Sequence, residues 1–221
     1  MELREMNHAS TYIIQSQEEE IKRIALELHE GISQNLYSVS TGLEFIQSGI
    51  EHPDLQAYTK ELSEIVNRTI KEVRLLSVEL YPSTLMTLGL SSALKSYIKL
   101  FTSTFGVKIN VESSGEEQKI SESKGLAVFR SCQEALINIA KYADTSEANL
   151  SFKWEENLLE IVIDDIGIGF NVQEAIDNNL FKGIAAMKQR MTTAGGNCYL
   201  SSSIGKGTKV TIVLPTEIGG M

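Results

Sequence analysis

Arg23-Ile24-Ala25-Leu26-Glu27-Leu28-His29-Glu30-Gly31-Ile32-Ser33-Gln34 is the stretch from which the fold of the first half can be read. Its apolar seam continues as Ile21, Ala25, Leu28, Ile32, Leu36, Val39, Leu43 and Ile46, in the steps of three and four that a bundle helix requires. His29 falls one residue past a seam position, so its imidazole is expected on the flank, towards water. Glu30 is its neighbour, and Gln34 lies one turn beyond Glu30 on the same face. An imidazole reachable from solvent, with a carboxylate and an amide nearby, can act as a nucleophile, as a base, or as neither.

Working outward, the pattern predicts a helix over about residues 12–49, stopped at Gly49 with Pro53 soon after. A second helix starts after Asp54, carries Leu55, Tyr58, Leu62, Ile65, Thr69, Val73, Leu76 and Leu80, and is closed by Pro82. Two amphipathic helices on a short connection form an antiparallel hairpin, yet a hairpin cannot cover both of its own apolar stripes. A second copy covers them in a four-helix bundle, which predicts a homodimer through residues 12–81.

The second half changes character. Leu85 to Leu90 reads as a compact apolar linker, and Ser91 or Ser92 can cap a helix running to about Thr104. A strand at 107–111, a helix from about Ser121 to Ala143, and a hairpin of strands at 148–154 and 158–163 follow. A glycine-punctuated loop, a helix from about Ile184 to Ala194, and strands near 198–202 and 208–214 complete the chain. That order predicts an α+β sandwich, helices layered on one mostly antiparallel sheet. The fold class is therefore α, then α+β.

Composition excludes some functions. The formal charge of −9 over 221 residues argues against a nucleic-acid binder, because phosphate backbones select clustered Lys and Arg. It does not exclude a nucleotide, whose phosphates backbone amides and Mg²⁺ can neutralise. The two cysteines, Cys132 and Cys198, sit in periodic segments and are expected to be buried free thiols in a reducing cytosol. There is no run of about 18 apolar residues and no signal-peptide core, so the chain is expected to be soluble as it stands.

Four constellations in the second half can carry chemistry. Glu134, Asn138 and Lys141 share a helix face, which suits Mg²⁺ and phosphate oxygens or is simply a solvated polar face. The run Leu158–Ile163 reads as a mostly buried strand, and Asp165-Ile166-Gly167-Ile168-Gly169 ends it. A carboxylate at a strand end, with glycines at alternate positions, suits a base edge with backbone close by; a tight turn with a capping aspartate looks the same. Gly183 opens a helix, where amides can approach a phosphate. Gly205-Lys206-Gly207-Thr208 is a glycine-rich turn. Each is ambiguous alone, but their order and spacing are not those of four unrelated turns.

Taken together, these segments resemble the transmitter core of a bacterial two-component sensor histidine kinase, of the subclass whose H-box reads roughly R-I-A-R-E-L-H-D-x-x-x-Q. The resemblance runs from Glu20 to Pro215: Arg23–Gln34 as H-box, Glu134–Lys141 as N-box, Asp165–Gly169 as D-x-G-x-G box, Gly183 in the second glycine box and Gly205–Thr208 in the last. Leu80-Tyr81-Pro82-Ser83-Thr84-Leu85 with Leu88-Gly89-Leu90 resembles the subclass connector. It implies a dimeric helical-hairpin phosphotransfer domain at 20–82, a linker at 83–90, and an ATP-binding sandwich at 91–216 of the type shared with Hsp90, gyrase and MutL. Residues 1–19 would be a signalling helix or coiled coil arriving from an upstream sensor, through which alone the protein would meet a membrane, and the core would be cytosolic.

The same resemblance implies that His29 attacks the γ-phosphorus of ATP with help from Glu30, and passes the phosphoryl group to an aspartate in a response-regulator receiver domain. Asn138 with Glu134 would hold Mg²⁺, and Lys141 and Lys182 would reach phosphates. Asp165 would read the adenine amine, with Gly167, Gly169, Gly183, Gly205, Gly207 and Thr208 framing the nucleotide. Glu30 and Gln34 match a D/E-x-x-x-Q pattern linked to regulator phosphatase activity. Two departures stand out: Tyr142 where the family has a histidine, and Phe181-Lys182-Gly183-Ile184-Ala185-Ala186-Met187 where it has three glycines. The altered box leaves open a phosphotransfer or phosphatase scaffold with a non-catalytic ATP domain. A chaperone-like or topoisomerase-like ATPase is a third reading.

Overall fold

The structure is a computed structural model in which residues 19–173 and 182–216 are described. The chain divides into two compact units, Met1–Pro82 and Ser83–Met221. The first is a helical hairpin. Helix α1 covers residues 19–49 and includes a π-helical turn, Glu27–Ile32, followed by α-helical Ser33–Gly49. Helix α2 is Pro53–Leu80. Its first residue is the proline expected to lie in the connection, because a helix's first turn has no use for that missing N–H and favours proline's fixed φ. Tyr81 is extended, as a residue before proline prefers, and α2 stops there.

The hairpin's two helices meet on small, hydroxyl-bearing residues. Ala25, Ser33, Ser40, Thr59, Ser63 and Ser77 are buried between them, with Ser40 Oγ donating to Asn67 Oδ1 at 3.1 Å. The predicted seam is split: Ala25 is buried and Leu28, Leu36 and Leu43 half-buried, while Ile21, Ile32, Val39 and Ile46 are exposed. Ile70 and Leu75 of α2 are buried with them, while many of the other large apolar side chains face out.

The second unit begins with α3, Ser83–Phe105, bent at Gly89, whose φ is 84°. The segment read as a linker is thus helical before the bend. The helix beyond Gly89 is not capped by its own serine. Instead the Glu117 carboxylate accepts the Ser91 N–H at 3.2 Å, supplying the acceptor that the first free amides of a helix need. Strand β1 (Lys108–Ser114) follows, then α4 (Glu122–Asn138), which continues as a π turn, Ile139–Ala143. Strands β2 (Glu147–Glu155) and β3 (Leu158–Asp165), helix α5 (Lys182–Thr193), and strands β4 (Asn197–Ser202) and β5 (Thr208–Pro215) complete the unit.

The sheet order is β1-β2-β3-β5-β4, with β1 parallel to β2 and every other pair antiparallel. Helix α3 packs on β1, α4 on β3 and β5, and α5 on β4, giving the expected two-layer sandwich. Tyr97 of α3 meets Phe101 of its own helix and Phe129 of α4 in the core, the Tyr97 and Phe129 rings standing edge to face at 5.7 Å. Truncating such a buried phenylalanine costs about 3–5 kcal/mol. Strand β3, expected to be mostly buried without strict alternation, does alternate. Leu159, Ile161, Ile163 and Asp165 are buried, and Glu160, Val162 and Asp164 lie half-exposed on the other face. Period two therefore decides that Asp165, and not Asp164, turns inward.

Candidate functional site

Each unit carries part of the predicted constellation. In the hairpin, His29, Glu30 and Gln34 are all exposed on α1, as the seam implied. His29 lies inside the π turn, which α-helical periodicity had not anticipated. Arg23, six residues upstream, donates to Glu20 at 2.6 Å and reaches Glu27 at 3.3 Å, so the guanidinium holds the Glu20 carboxyl below the usual carboxylate range. Both ion pairs lie on an exposed face of α1.

In the sandwich, three of the sequence segments come to one place at the Asp165 end of β3. Asp165 is buried, and its Oδ1 accepts the Gly167 N–H at 2.8 Å. Gly167 sits against the π turn that ends α4: a Cβ there would overlap the Ala143 carbonyl, which itself accepts the Ile168 N–H at 2.8 Å. From the other side comes the last glycine turn. Gly205 N–H donates to the Ile168 carbonyl at 2.6 Å, and a Cβ on Gly207 would overlap the Asp165 carbonyl. Gly207 also has φ 75°, the left-handed region that side chains avoid. Gly167 and Gly169 are expected from the sequence to leave backbone close to a ligand, and Gly205 and Gly207 to form a glycine-rich turn. Their missing Cβ atoms are first of all what lets three backbone segments close on each other around Asp165.

Ser202, which sequence reasoning missed, ties this closure together. Its hydroxyl accepts the Phe170 N–H at 3.0 Å, donates to the Gly207 carbonyl at 2.9 Å, and shares a hydrogen bond with Thr208 Oγ1 at 3.0 Å. The cross-strand pairing of Ser202 with Thr208 creates the contact, so no local pattern announces it. Thr208 is half-buried beside it.

Glu134 and Asn138 are half-buried at the C-terminal end of α4, one turn apart. The Glu134 carboxylate occupies the space that a Cβ on Gly183 would fill, which brings the N-box to the first turn of α5. Lys141 is exposed within the second π turn, whose wider pitch takes it off the strict i, i+7 line through Glu134. Phe181 and the Lys182 side chain lie outside the described residues. Among the described residues no cluster of three or more His, Cys, Asp or Glu side chains could hold a metal ion. One amide oxygen and one carboxylate nonetheless fit Mg²⁺, which is commonly held by one or two protein oxygens together with substrate phosphates. Tyr142 is exposed beside Ala143.

Both cysteines are buried and unpaired. No helix among the described residues is long and apolar enough to cross a membrane.

A histidine on an outward helix flank, and a buried strand-end carboxylate enclosed by glycine turns, are the two halves of a recognisable machine. Residues 20–85 match the family described as "Histidine kinase", and residues 123–218 match "Histidine kinase-, DNA gyrase B-, and HSP90-like ATPase". The chain belongs to the two-component sensor histidine kinases and carries their transmitter core. It is 35% identical over 202 residues to the oxygen sensor histidine kinase NreB of Staphylococcus carnosus (strain TM300), covering 91% of this chain and 58% of that protein. The chain thus spans less than two thirds of that relative. Its fold is similar to the histidine kinase domain of the Erythrobacter litoralis EL346 blue-light activated histidine kinase, with a TM-score of 0.52 at 14% identity, covering 83% of this chain and 94% of that domain. The longer EL346 protein aligns with a TM-score of 0.51 at 16% identity, over 83% of this chain and 59% of its own.

Proposed function

We propose that this chain is an ATP-dependent protein-histidine kinase that autophosphorylates His29 and passes the phosphoryl group to an aspartate in the receiver domain of a response regulator. The observation that carries the reading is that one chain holds both an outward-facing histidine on a helical hairpin and a buried strand-end carboxylate framed by glycines. In the first step an imidazole nitrogen of His29 attacks the γ-phosphorus, the bond from phosphorus to the β,γ-bridging oxygen breaks, and ADP leaves. Glu30 takes the ring proton. In the second, a regulator carboxylate oxygen attacks phosphorus and the N–P bond breaks. In a separate phosphatase reaction Gln34, paired in sequence with Glu30, orients a water that attacks phosphorus of the regulator's acyl phosphate; the aspartyl O–P bond breaks and inorganic phosphate leaves.

Recognition of ATP follows from the same groups. Asp165 has one oxygen committed to Gly167 N–H, which leaves the other to accept the exocyclic amine of adenine. Thr208 stands near the base, and the first turn of α5 at Gly183 offers amides to phosphate. Lys141 and Lys182 supply cationic contacts, and Glu134 with Asn138 would hold Mg²⁺. When bound, the ion neutralises charge on the phosphate oxygens. Positioning and charge neutralisation then account for the catalysis.

The active species is a homodimer through residues 12–81. Phe45 is 80% exposed in a single chain, and Ile21, Ile32, Val39, Ile46, Leu55, Tyr58, Ile65 and Leu76 are exposed with it. An apolar surface of this kind is covered by a partner, and a second hairpin completes a four-helix bundle. We place the core in the cytosol, where its nucleotide and regulator are found. Incubation with radiolabelled ATP and Mg²⁺ tests the activity: wild type takes up acid-labile label, and His29→Ala does not. A folded wild type without such label would point to a phosphotransfer scaffold, and steady hydrolysis untouched by His29→Ala to a chaperone-like ATPase.

A further inference from the structure

We infer that Ser33 and Ser77 are positioning residues, holding a π turn at the phosphoacceptor and thereby setting the direction in which His29 is presented; the inference rests on the kinase reading above. Helix α1 leaves α-helical bonding at Glu27–Ile32 and resumes it at Ser33. A π turn accommodates one residue more than an α turn. Because successive residues of an α-helix are about 100° apart (3.6 per turn), that extra residue decides which way the side chains within the turn point.

Nothing in the covalent chemistry of Glu-Leu-His-Glu-Gly-Ile demands this geometry, since no proline interrupts it. Two buried hydroxyls account for it. The Ser33 N–H bonds to the Leu28 carbonyl, five residues back, and the Ser33 Oγ donates to the same oxygen at 2.9 Å. From the other helix, Ser77 Oγ donates to the Ala25 carbonyl at 2.8 Å. Ala25 lies four residues before His29, so its carbonyl is the acceptor that the His29 amide would use in an uninterrupted α-helix. Two carbonyls just before the phosphoacceptor, Ala25 and Leu28, are therefore each held by a serine. Both serines are 3% exposed, where a hydroxyl needs a partner, so each bond stabilises the π form against its α competitor. Neither residue is among the site residues expected from the sequence, although Ser33 lies within the Arg23–Gln34 stretch.

The test uses the full chain as Ser33→Ala, Ser77→Ala, Ser77→Thr and a deletion of Gly31. The deletion removes the surplus residue of the turn and keeps the α-helical register on either side. His29 labelling is followed from ATP, as kcat and KM, and from phosphoramidate, a small phosphodonor that needs no ATP domain. The expected result is a kcat from ATP at least tenfold lower for Ser33→Ala, for Ser77→Ala and for the deletion, with KM for ATP within twofold of wild type. Phosphoramidate labelling stays unchanged, and Ser77→Thr recovers most of the rate. Wild-type kcat in every variant overturns the positioning role. So does a parallel loss of phosphoramidate labelling, which would assign the effect to general unfolding. A wild type that phosphoramidate labels and ATP does not would instead sink the kinase reading, and the positioning role with it.

Discussion

Replacing Asp165 by asparagine should abolish the preference for adenine while leaving the fold intact. The carboxylate is 5% exposed, and its Oδ1 accepts the Gly167 N–H at 2.8 Å, so Oδ2 is the oxygen assigned to the adenine amine. Asparagine keeps an acceptor for Gly167 and presents an NH₂ group where Oδ2 stood. That group faces the amine of adenine donor to donor. A hydrogen bond to a charged acceptor contributes about 1.5–3 kcal/mol, and each 1.4 kcal/mol is about tenfold in affinity. The variant should therefore bind ATP roughly ten- to hundredfold more weakly. An inosine nucleotide, with a carbonyl where adenine has its amine, reverses the pairing: it is repelled by the wild-type carboxylate and accepts from the new amide. Calorimetric titration of both proteins with both nucleotides closes a cycle whose coupling isolates this one contact. The unfolding midpoint without nucleotide should not fall, because the bond to Gly167 survives. Two results would refute the reasoning: ATP binding as tight as wild type, or equal losses for ATP and the inosine nucleotide.

Other outcomes follow from packing and charge. Gly205 and Gly207 both have φ 75°, but a Cβ on Gly205 meets open space and one on Gly207 overlaps the Asp165 carbonyl. Denaturant melts should show Gly205→Ala costing about 1–2 kcal/mol and Gly207→Ala distinctly more, with equal costs refuting the closure around Asp165. Ile46, 54% exposed in one chain, is assigned to the dimer seam. Fully burying an isoleucine is worth about 1.5–3 kcal/mol, so Ile46→Glu should sediment as a monomer at concentrations where wild type is dimeric. Burial pushes the Cys132 thiol above its ordinary 9.0, with Cys198 adding to the shift, and Cys198 is raised by burial as well. The folded chain keeps these protons while the unfolded chain releases them above about pH 9, so stability is intact below that pH and falls as pH rises. Melts of wild type and Cys132→Ala across about pH 7 to 10 should diverge only at the alkaline end, and parallel curves would count against the shift.

Much of this protein was legible along the chain. Both hairpin helices, the sandwich and its order of elements follow from periodicity, because apolar spacing of three to four or of two reports directly which face an element buries. The outward direction of His29 came from its offset from the seam. Local errors had local causes. The first helix ends at Gly49 as expected, but the second starts at Pro53 and not after Asp54, since proline suits a helix's first turn as well as a connection. The Ser83–Leu88 stretch was taken as a linker because the glycine that bends it hides the helix on its near side. The helix cap came from Glu117, 26 residues beyond Ser91, which no window around the serine includes.

What the order of residues determined by itself was therefore the set of elements, their buried faces and the identity of the chemical groups. The tertiary structure decided what those groups are held by. Ser202 becomes a hub only because β4 and β5 pair in one register, Gly167 is needed only because the end of α4 arrives beneath it, and Ser77 reaches the backbone beside His29 only across the hairpin. Side-chain periodicity is a property of one segment, whereas a hydrogen bond or a missing Cβ acquires meaning from a second segment brought there by folding.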